Sequence, residues 1–258
     1  MKDEPLKIGE WTFKSRLILG TGRHRTESDL IGSLDASGAE VVTVAIRRLD
    51  LDRPHSKTIL DLIDTQKYMV LPNTAGCSTA EEAVFTARLA RSLGLPSWVK
   101  LEVIPDPRYL FPDPLGTLEA AELLIADGFT VLPYMHADPE LAKRLESIGC
   151  STVMPLGSAI GSGQGIHTKE EIQIIIEQST IPVIVDAGLG VPSDAAQAME
   201  IGASAVLVNT AIAQAENPTL MAEAFQQGVE AGRKAFRSGR IQRRTSAQAS
   251  SPSEGLIQ

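Results

Sequence analysis

Residues 98–135 read WVKLEVIPDPRYLFPDPLGTLEAAELLIADGFTVLPYM. An apolar run (98–104) is followed by a loop rich in Pro and Asp (105–114) and an amphipathic stretch (115–126). Gly128 then precedes a second apolar run, TVLPYM (130–135). Strand, crossover helix, C-terminal glycine and strand make up the repeating unit of a parallel sheet, and near-continuous rather than alternating apolar strands mark a sheet covered on its outer face. Six further runs repeat the pattern outward from this unit: LILGT (17–21), VVTVAI (41–46), YMVLPN (68–73), TVMPLG (152–157), VIVDAG (183–188) and AVLVNTA (205–211). Helix-like segments at 79–93, 138–148, 168–178 and 193–201 lie between them, and Thr79 with Glu82 has capping-box spacing. Gly38, Gly94, Gly149 and Gly202 stand where a left-handed helix terminus is needed. Eight strand–helix units predict an α/β fold, a (β/α)8 barrel, with a doubly wound open sheet as the alternative.

LKIGEWTF (6–13) reads as a small hairpin that plugs the N-terminal end of the barrel. The expected organisation is a capping hairpin over 1–15, a catalytic barrel over 16–240 and a disordered tail over 241–258. The basic stretch from Gly232 (Arg233, Lys234, Arg237, Arg240, Arg243, Arg244) reads as a solvated helix end rather than an anion site.

Composition narrows the classes of function. The 258 residues carry a net charge of −8, which argues against a general nucleic-acid surface. The two cysteines, Cys77 and Cys150, make neither a disulfide framework nor a Cys-rich metal site. The start MKDEP has no apolar segment behind it, and no run approaches a membrane span, so a cytoplasmic location is expected.

Within the eight apolar runs only Lys100, Glu102 and Asp186 carry charge. Unpaired buried charge is expensive, so such residues are paired or functional. Lys100 and Glu102, two apart, face the same side of a strand at the barrel end where active sites are built, and Asp186 occupies the same end of the seventh strand. Either the three form a structural ion pair, or Lys100 has its pKa lowered by desolvation and attacks a carbonyl, with the carboxylates moving protons.

Three successive strand ends carry loops suited to an anion. They are Gly157–Gly165 with four glycines in nine residues, Asp186-Ala187-Gly188-Leu189-Gly190, and Asn209-Thr210 before a helix-like stretch. Together they predict a phosphate-bearing ligand; neither a Walker A loop nor a GxGxxG after the first strand is present. His24, His55, His136 and His167 match no metal-ligand spacing, and Cys77 reads as a packing residue. Arg47-Arg48 either steers an anion or is solvated, and 105–114 is a candidate lid.

The stretches TVAIRR (43–48), LPNTAGC (71–77), WVKLEVIPD (98–106), VMPLGSAIGSGQGI (153–166), PVIVDAGLG (182–190), VLVNTAIA (206–213) and EAGRKAF (230–236) give the chain a close resemblance, over about residues 6–240, to the thiazole synthases of bacterial and plastid thiamin biosynthesis. The resemblance implies a transferase, without a cofactor or metal, that builds the thiazole phosphate ring. Its substrates would be 1-deoxy-D-xylulose 5-phosphate, dehydroglycine and sulfur from the C-terminal thiocarboxylate of a sulfur-carrier protein. It implies a Schiff base on Lys100, proton transfer by Glu102 and Asp186, and sugar-phosphate contacts at Gly161, Ala187, Gly188, Asn209 and Thr210. It also implies a homotetramer, a dehydroglycine-supplying enzyme as partner, and no nucleic acid or membrane. Ala159 and His167 stand where that family often has proline and asparagine. On the residues alone, a Schiff-base aldolase or isomerase of a sugar phosphate and a non-catalytic phosphate-binding barrel stay open.

Overall fold

The computed structural model describes residues 3–48 and 58–250. A hairpin of β1 (Leu6–Ile8) and β2 (Trp11–Phe13) turns at Gly9, whose φ of 57° suits glycine. Eight parallel strands follow: β3 (Leu17–Gly20), β4 (Val41–Ala45), β5 (Met69–Asn73), β6 (Trp98–Leu101), β7 (Thr130–Met135), β8 (Met154–Pro155), β9 (Ile184–Val185) and β10 (Ala205–Val208). Chain neighbours pair from β3 to β8 and from β9 to β10, and β10 pairs with β3. The remaining gap closes through bridges Val153–Val183 and Leu156–Asp186, with Ile184 N–H donating to Val153 at 2.9 Å and Asp186 N–H to Pro155 at 3.0 Å. The sheet is therefore a ring, and the open-sheet alternative falls.

The helices are α1 (Glu27–Ser37), α2 (Ala80–Ser92), α3 (Pro114–Ala126), α4 (Pro139–Ser147), α5 (Lys169–Gln178), α6 (Pro192–Glu200), α7 (Thr210–Ala213) and α8 (Pro218–Ser238). Three of them begin with an Asx-Pro pair. Asp113, Asp138 and Asn217 accept first-turn N–H groups through their side chains, while the following proline occupies a position that needs no donor. Thr79 caps α2 as expected, but Glu82 returns its carboxylate to Ser78 N–H and Oγ at 2.8 and 3.1 Å rather than to Thr79. One strand–helix unit departs from the expected repeat. Among the described residues, β4 and β5 are joined by two single 3-10 turns, Ile46–Arg48 and Ile59–Leu62. The sequence there, RRLDLDRPHSKTILDLID, interleaves charges with Pro54 and offers no helical apolar face. Its residues 49–57, His55 included, lie outside the described residues.

The barrel interior is layered by the two-residue strand period. One apolar side chain per strand (Ile18, Val41, Leu71, Trp98, Leu132, Met154, Ile184 and Leu207) joins Leu6, Ile8 and Phe13 of the hairpin in one buried cluster. Trp98 anchors it, donating from Nε1 to Val70 at 2.7 Å, with its ring 4.8 Å from Trp11 and 6.1 Å from Phe13 between centroids. The hairpin thus plugs the N-terminal end, and a second cluster fills the space between strands and helices. The basic end of α8 is only partly solvated. Arg233 bonds Asp3 at 2.9 Å, and Arg237 and Arg16 stand 3.5 and 3.6 Å from the same carboxylate, which Arg233's hydrogen bond holds below the usual aspartate value. Residues 240–250 are exposed and carry neither helix nor strand; the rest of the expected tail lies outside the described residues.

Candidate active site

Two residues beyond the apolar layer, the same inward direction on the eight strands carries Gly20, Thr43, Asn73, Lys100, Tyr134, Leu156, Asp186 and Asn209. Water-repelling packing gives way here to polar chemistry. Thr43, Asn73, Lys100, Asp186 and Asn209 border a cavity of about 620 Å³ at the C-terminal end of the barrel. Glu102 and Asp186 each sit one residue past the end of their strands, not inside them.

Lys100 Nζ lies 2.6 Å from Asp186 Oδ2 and 3.2 Å from Glu102 Oε1, and all three side chains are buried. Burial pulls the amine's pKa down, but the attraction and hydrogen bonds of Asp186 and then Glu102 outweigh it and hold Lys100 above the usual lysine value. Of the two sequence readings this corrects the lowered pKa and agrees with the ion pair: the amine is an ammonium clasped by two acids. The clasp still borders open space, since Lys100, Glu102 and Asp186 all line the cavity. Thr74 fixes the acid from below, its Oγ1 donating to the Glu102 carbonyl and accepting the Glu102 N–H, both at 2.7 Å. Asp186 Oδ1 accepts the N–H of Ala187 at 2.7 Å.

All five residues expected to contact a sugar phosphate line the same cavity. Ala187 and Gly188 are both left-handed, at φ 57° and 82°. A Cβ on Gly188 would overlap Ser158 Oγ and sit 2.6 Å from the Ser158 N, so only glycine fits. The Asn209 amide, turned to donate, reaches the carbonyls of Gly22 at 2.7 Å and Gly20 at 3.1 Å. Gly161 is left-handed at φ 72° and faces Thr210.

The candidate lid forms part of the wall. Leu110 lines the cavity and packs with Ile104, Tyr134, Leu156 and Ile160. Tyr134 was not read from the sequence; its OH donates to the Leu110 carbonyl at 3.3 Å, and its ring centroid lies 5.7 Å from Lys100 Nζ. Burial, reinforced by the charges of Asp186 and Glu102, pushes its phenol above the usual tyrosine value. Thr43 and Asn73 were missed as well. The signal was present: counting two residues past each apolar inward position reaches them.

Other candidates stand apart. Cys77 is fully buried, with Sγ 3.3 Å from Thr86 Oγ1, and burial pushes the Cys150 thiol up to about 12. Burial also lowers the pKa of His24 and His136. Arg47 donates to the Gly76 carbonyl and pairs with Glu82 at 3.4 Å, so it is neither free nor in the cavity wall. Among the described residues no cluster of three or more His, Cys, Asp or Glu side chains could hold a metal, and no helix is long and apolar enough to cross a membrane.

A closed (β/α)8 barrel whose C-terminal cavity holds a buried lysine between two acids defines the class. A family model described as "Thiazole biosynthesis protein ThiG" matches residues 7–252, twelve residues beyond the reach of the sequence resemblance. A thiazole synthase of Syntrophobacter fumaroxidans is 58% identical, covering 99% of both chains. A bifunctional protein ThiO/ThiG of Nostoc is 54% identical, over 99% of this chain and 40% of the relative. The solved Amycolatopsis orientalis BexX/CysO complex contains a chain with TM-score 0.84 and 37% identity, covering 95% of this chain and all of that one. The chain belongs to the ThiG family of thiazole synthases, enzymes of thiamin biosynthesis.

Proposed function

We propose that this thiazole synthase is a transferase that works through a Schiff base on Lys100. It joins 1-deoxy-D-xylulose 5-phosphate, dehydroglycine and sulfur from a carrier protein's C-terminal thiocarboxylate into thiazole phosphate. The observation that carries this reading is the Lys100 amine held between Asp186 and Glu102 at the wall of a 620 Å³ cavity. An ammonium cannot attack a ketone, so a proton must leave first. Asp186, at 2.6 Å, is the nearer acceptor. The neutral amine adds to the ketone and water is lost, forming an imine that makes the neighbouring carbon acidic. Glu102 and Asp186 then carry the protons of the tautomerisation that moves the carbonyl along the chain. Thiocarboxylate sulfur adds, dehydroglycine condenses and the ring closes.

The phosphate end of the sugar goes to Gly161, Ala187, Gly188, Asn209 and Thr210; at the first three, left-handed backbone brings N–H groups close to an anion. The barrel over 16–240 does this work, capped by 1–15, with 241–258 outside it. A separate protein partner is supported by the BexX/CysO complex, and the bifunctional ThiO/ThiG relative of Nostoc supports a second enzyme working beside this one, to which we assign the supply of dehydroglycine. The working form is a cytoplasmic homotetramer. Borohydride reduction in the presence of the sugar phosphate tests the reading. It should attach the sugar to Lys100, and Lys100→Ala should lose the adduct while still binding the phosphate ester; an adduct that survives Lys100→Ala refutes it.

A further inference from the structure

We propose that Arg23 selects the phosphorylated form of the substrate, its guanidinium meeting the phosphate dianion in the glycine cradle. The inference rests on the phosphate reading above and adds a residue to it. Arg23 lines the cavity shared by Gly161, Gly188 and Thr210. Among the described residues of the cavity wall it carries the only charge outside the Lys100–Glu102–Asp186 cluster. That cluster holds one cation against two carboxylates, so by itself it would repel an anionic substrate. Arg23 brings the described residues of the wall to neutrality.

The backbone points the same way. Arg23 is left-handed at φ 67°, a conformation that glycine adopts without strain and other residues do not. The loop around it is pinned at every other position. Thr21 Oγ1 donates to the Thr43 carbonyl at 2.7 Å, and the Gly22 carbonyl accepts from Asn209. His24 Nδ1 lies 3.4 Å from the Thr21 carbonyl. Arg25 donates to the carbonyls of Ala215 at 2.8 Å and Glu216 at 3.0 Å. Among the described residues Arg23 alone in this loop has an exposed side chain with no protein partner. A strained backbone fixed by its neighbours, presenting an unpaired cation to a cavity, is the arrangement of a ligand contact. Asn209, itself in the cradle, grips the carbonyl just before it. That places the anion Arg23 serves on the phosphate side of the cavity.

Titration calorimetry of 1-deoxy-D-xylulose 5-phosphate and of the unphosphorylated sugar, into wild type, Arg23→Met, Arg23→Lys and Arg23→Gly, tests this. Affinity for the phosphate ester should fall about tenfold in the Met and Gly variants and recover in part with Lys, while affinity for the free sugar holds. Arg23→Gly should melt about 3 °C higher than wild type because the left-handed strain is gone. Wild type that does not prefer the phosphate ester to the free sugar would remove both the phosphate reading and this one. A wild-type preference left intact in Arg23→Met would overturn the Arg23 assignment alone. So would equal losses for both sugars, or a lower melting temperature with unchanged binding, since each makes Arg23 structural. If Arg23→Met instead weakens only the calorimetric binding of glyoxylate, a two-carbon carboxylate used as a probe, the residue serves a carboxylate and the phosphate assignment is wrong.

Discussion

Replacing Lys100 by methionine keeps the volume of the side chain and removes its charge. Lys100 Nζ is 2.6 Å from Asp186 and 3.2 Å from Glu102, so at an effective dielectric of about 20 the two contacts are worth roughly 6 and 5 kcal/mol in gross attraction. Desolvation of three buried ions offsets much of this. The net loss on breaking such a cluster, with charge left uncompensated, is about 3–5 kcal/mol. For a chain of this length that is a fall of roughly 10 °C in melting temperature. The loss should depend on pH in a particular direction. In the variant two buried acids share a site without a cation, so one binds its proton more tightly folded than unfolded. Its stability is then fully present below the unfolded carboxylate value of about 4 and is lost as pH rises through the raised folded value. In wild type, Lys100 is held above its ordinary 10.5; its contribution is present below that value and lost only as pH rises through the higher folded one. Melts from pH 5 to 8 should therefore separate the two proteins widely at pH 8 and bring them together toward pH 5. A Lys100→Met protein that melts with wild type at pH 8 would mean the cluster is not ionised as described.

Three further substitutions probe what supports the site. Gly188→Ala drives a methyl group into Ser158 and forces alanine into φ 82°; chemical denaturation should register a loss of about 2–4 kcal/mol, and a stability within 0.5 kcal/mol of wild type would contradict the close packing of these loops. Trp98→Ala should cost about 3–5 kcal/mol, because it empties the layer between hairpin and site and orphans the Val70 carbonyl; urea unfolding with an unchanged midpoint would show that the plug does not depend on that ring. Thr74→Val removes both backbone bonds to Glu102 and should cost about 1–3 kcal/mol and slow turnover more than it weakens sugar binding; the reverse pattern in steady-state kinetics would count against Thr74 as the clamp on Glu102.

The strands were legible because each is apolar on both faces, and the helix ends because glycines mark them; the Asx-Pro pairs that start three helices were a further signal in the sequence that went unread. Lys100, Glu102 and Asp186 stood out for a related reason: charge inside an apolar run has few physical excuses. Thr43 and Asn73 gave no such contrast, since an uncharged polar residue at a strand end looks like the start of any loop. Tyr134 is hidden inside TVLPYM, where an aromatic ring reads as core, and only its contacts with Leu110 and Lys100 distinguish it. The resting charge of Lys100 was misread because desolvation follows from a residue's own setting, whereas the stronger opposing pull needs the distances to two residues from different strands. Arg23 was invisible for the same kind of reason. Its positive φ is held by the hydrogen bonds of its neighbours Thr21, Gly22 and Arg25 to residues 43, 209, 215 and 216, which no local pattern reveals.

The central claim is that Lys100 leaves the grip of Asp186 to bond a ketose. A crystal structure with 1-deoxy-D-xylulose 5-phosphate bound measures this directly. Continuous density is expected from Lys100 Nζ to the sugar's ketone carbon, with the phosphate beside Gly161 and Gly188. A sugar phosphate resting in the cavity while Lys100 keeps its 2.6 Å contact to Asp186, with no covalent link, would contradict it.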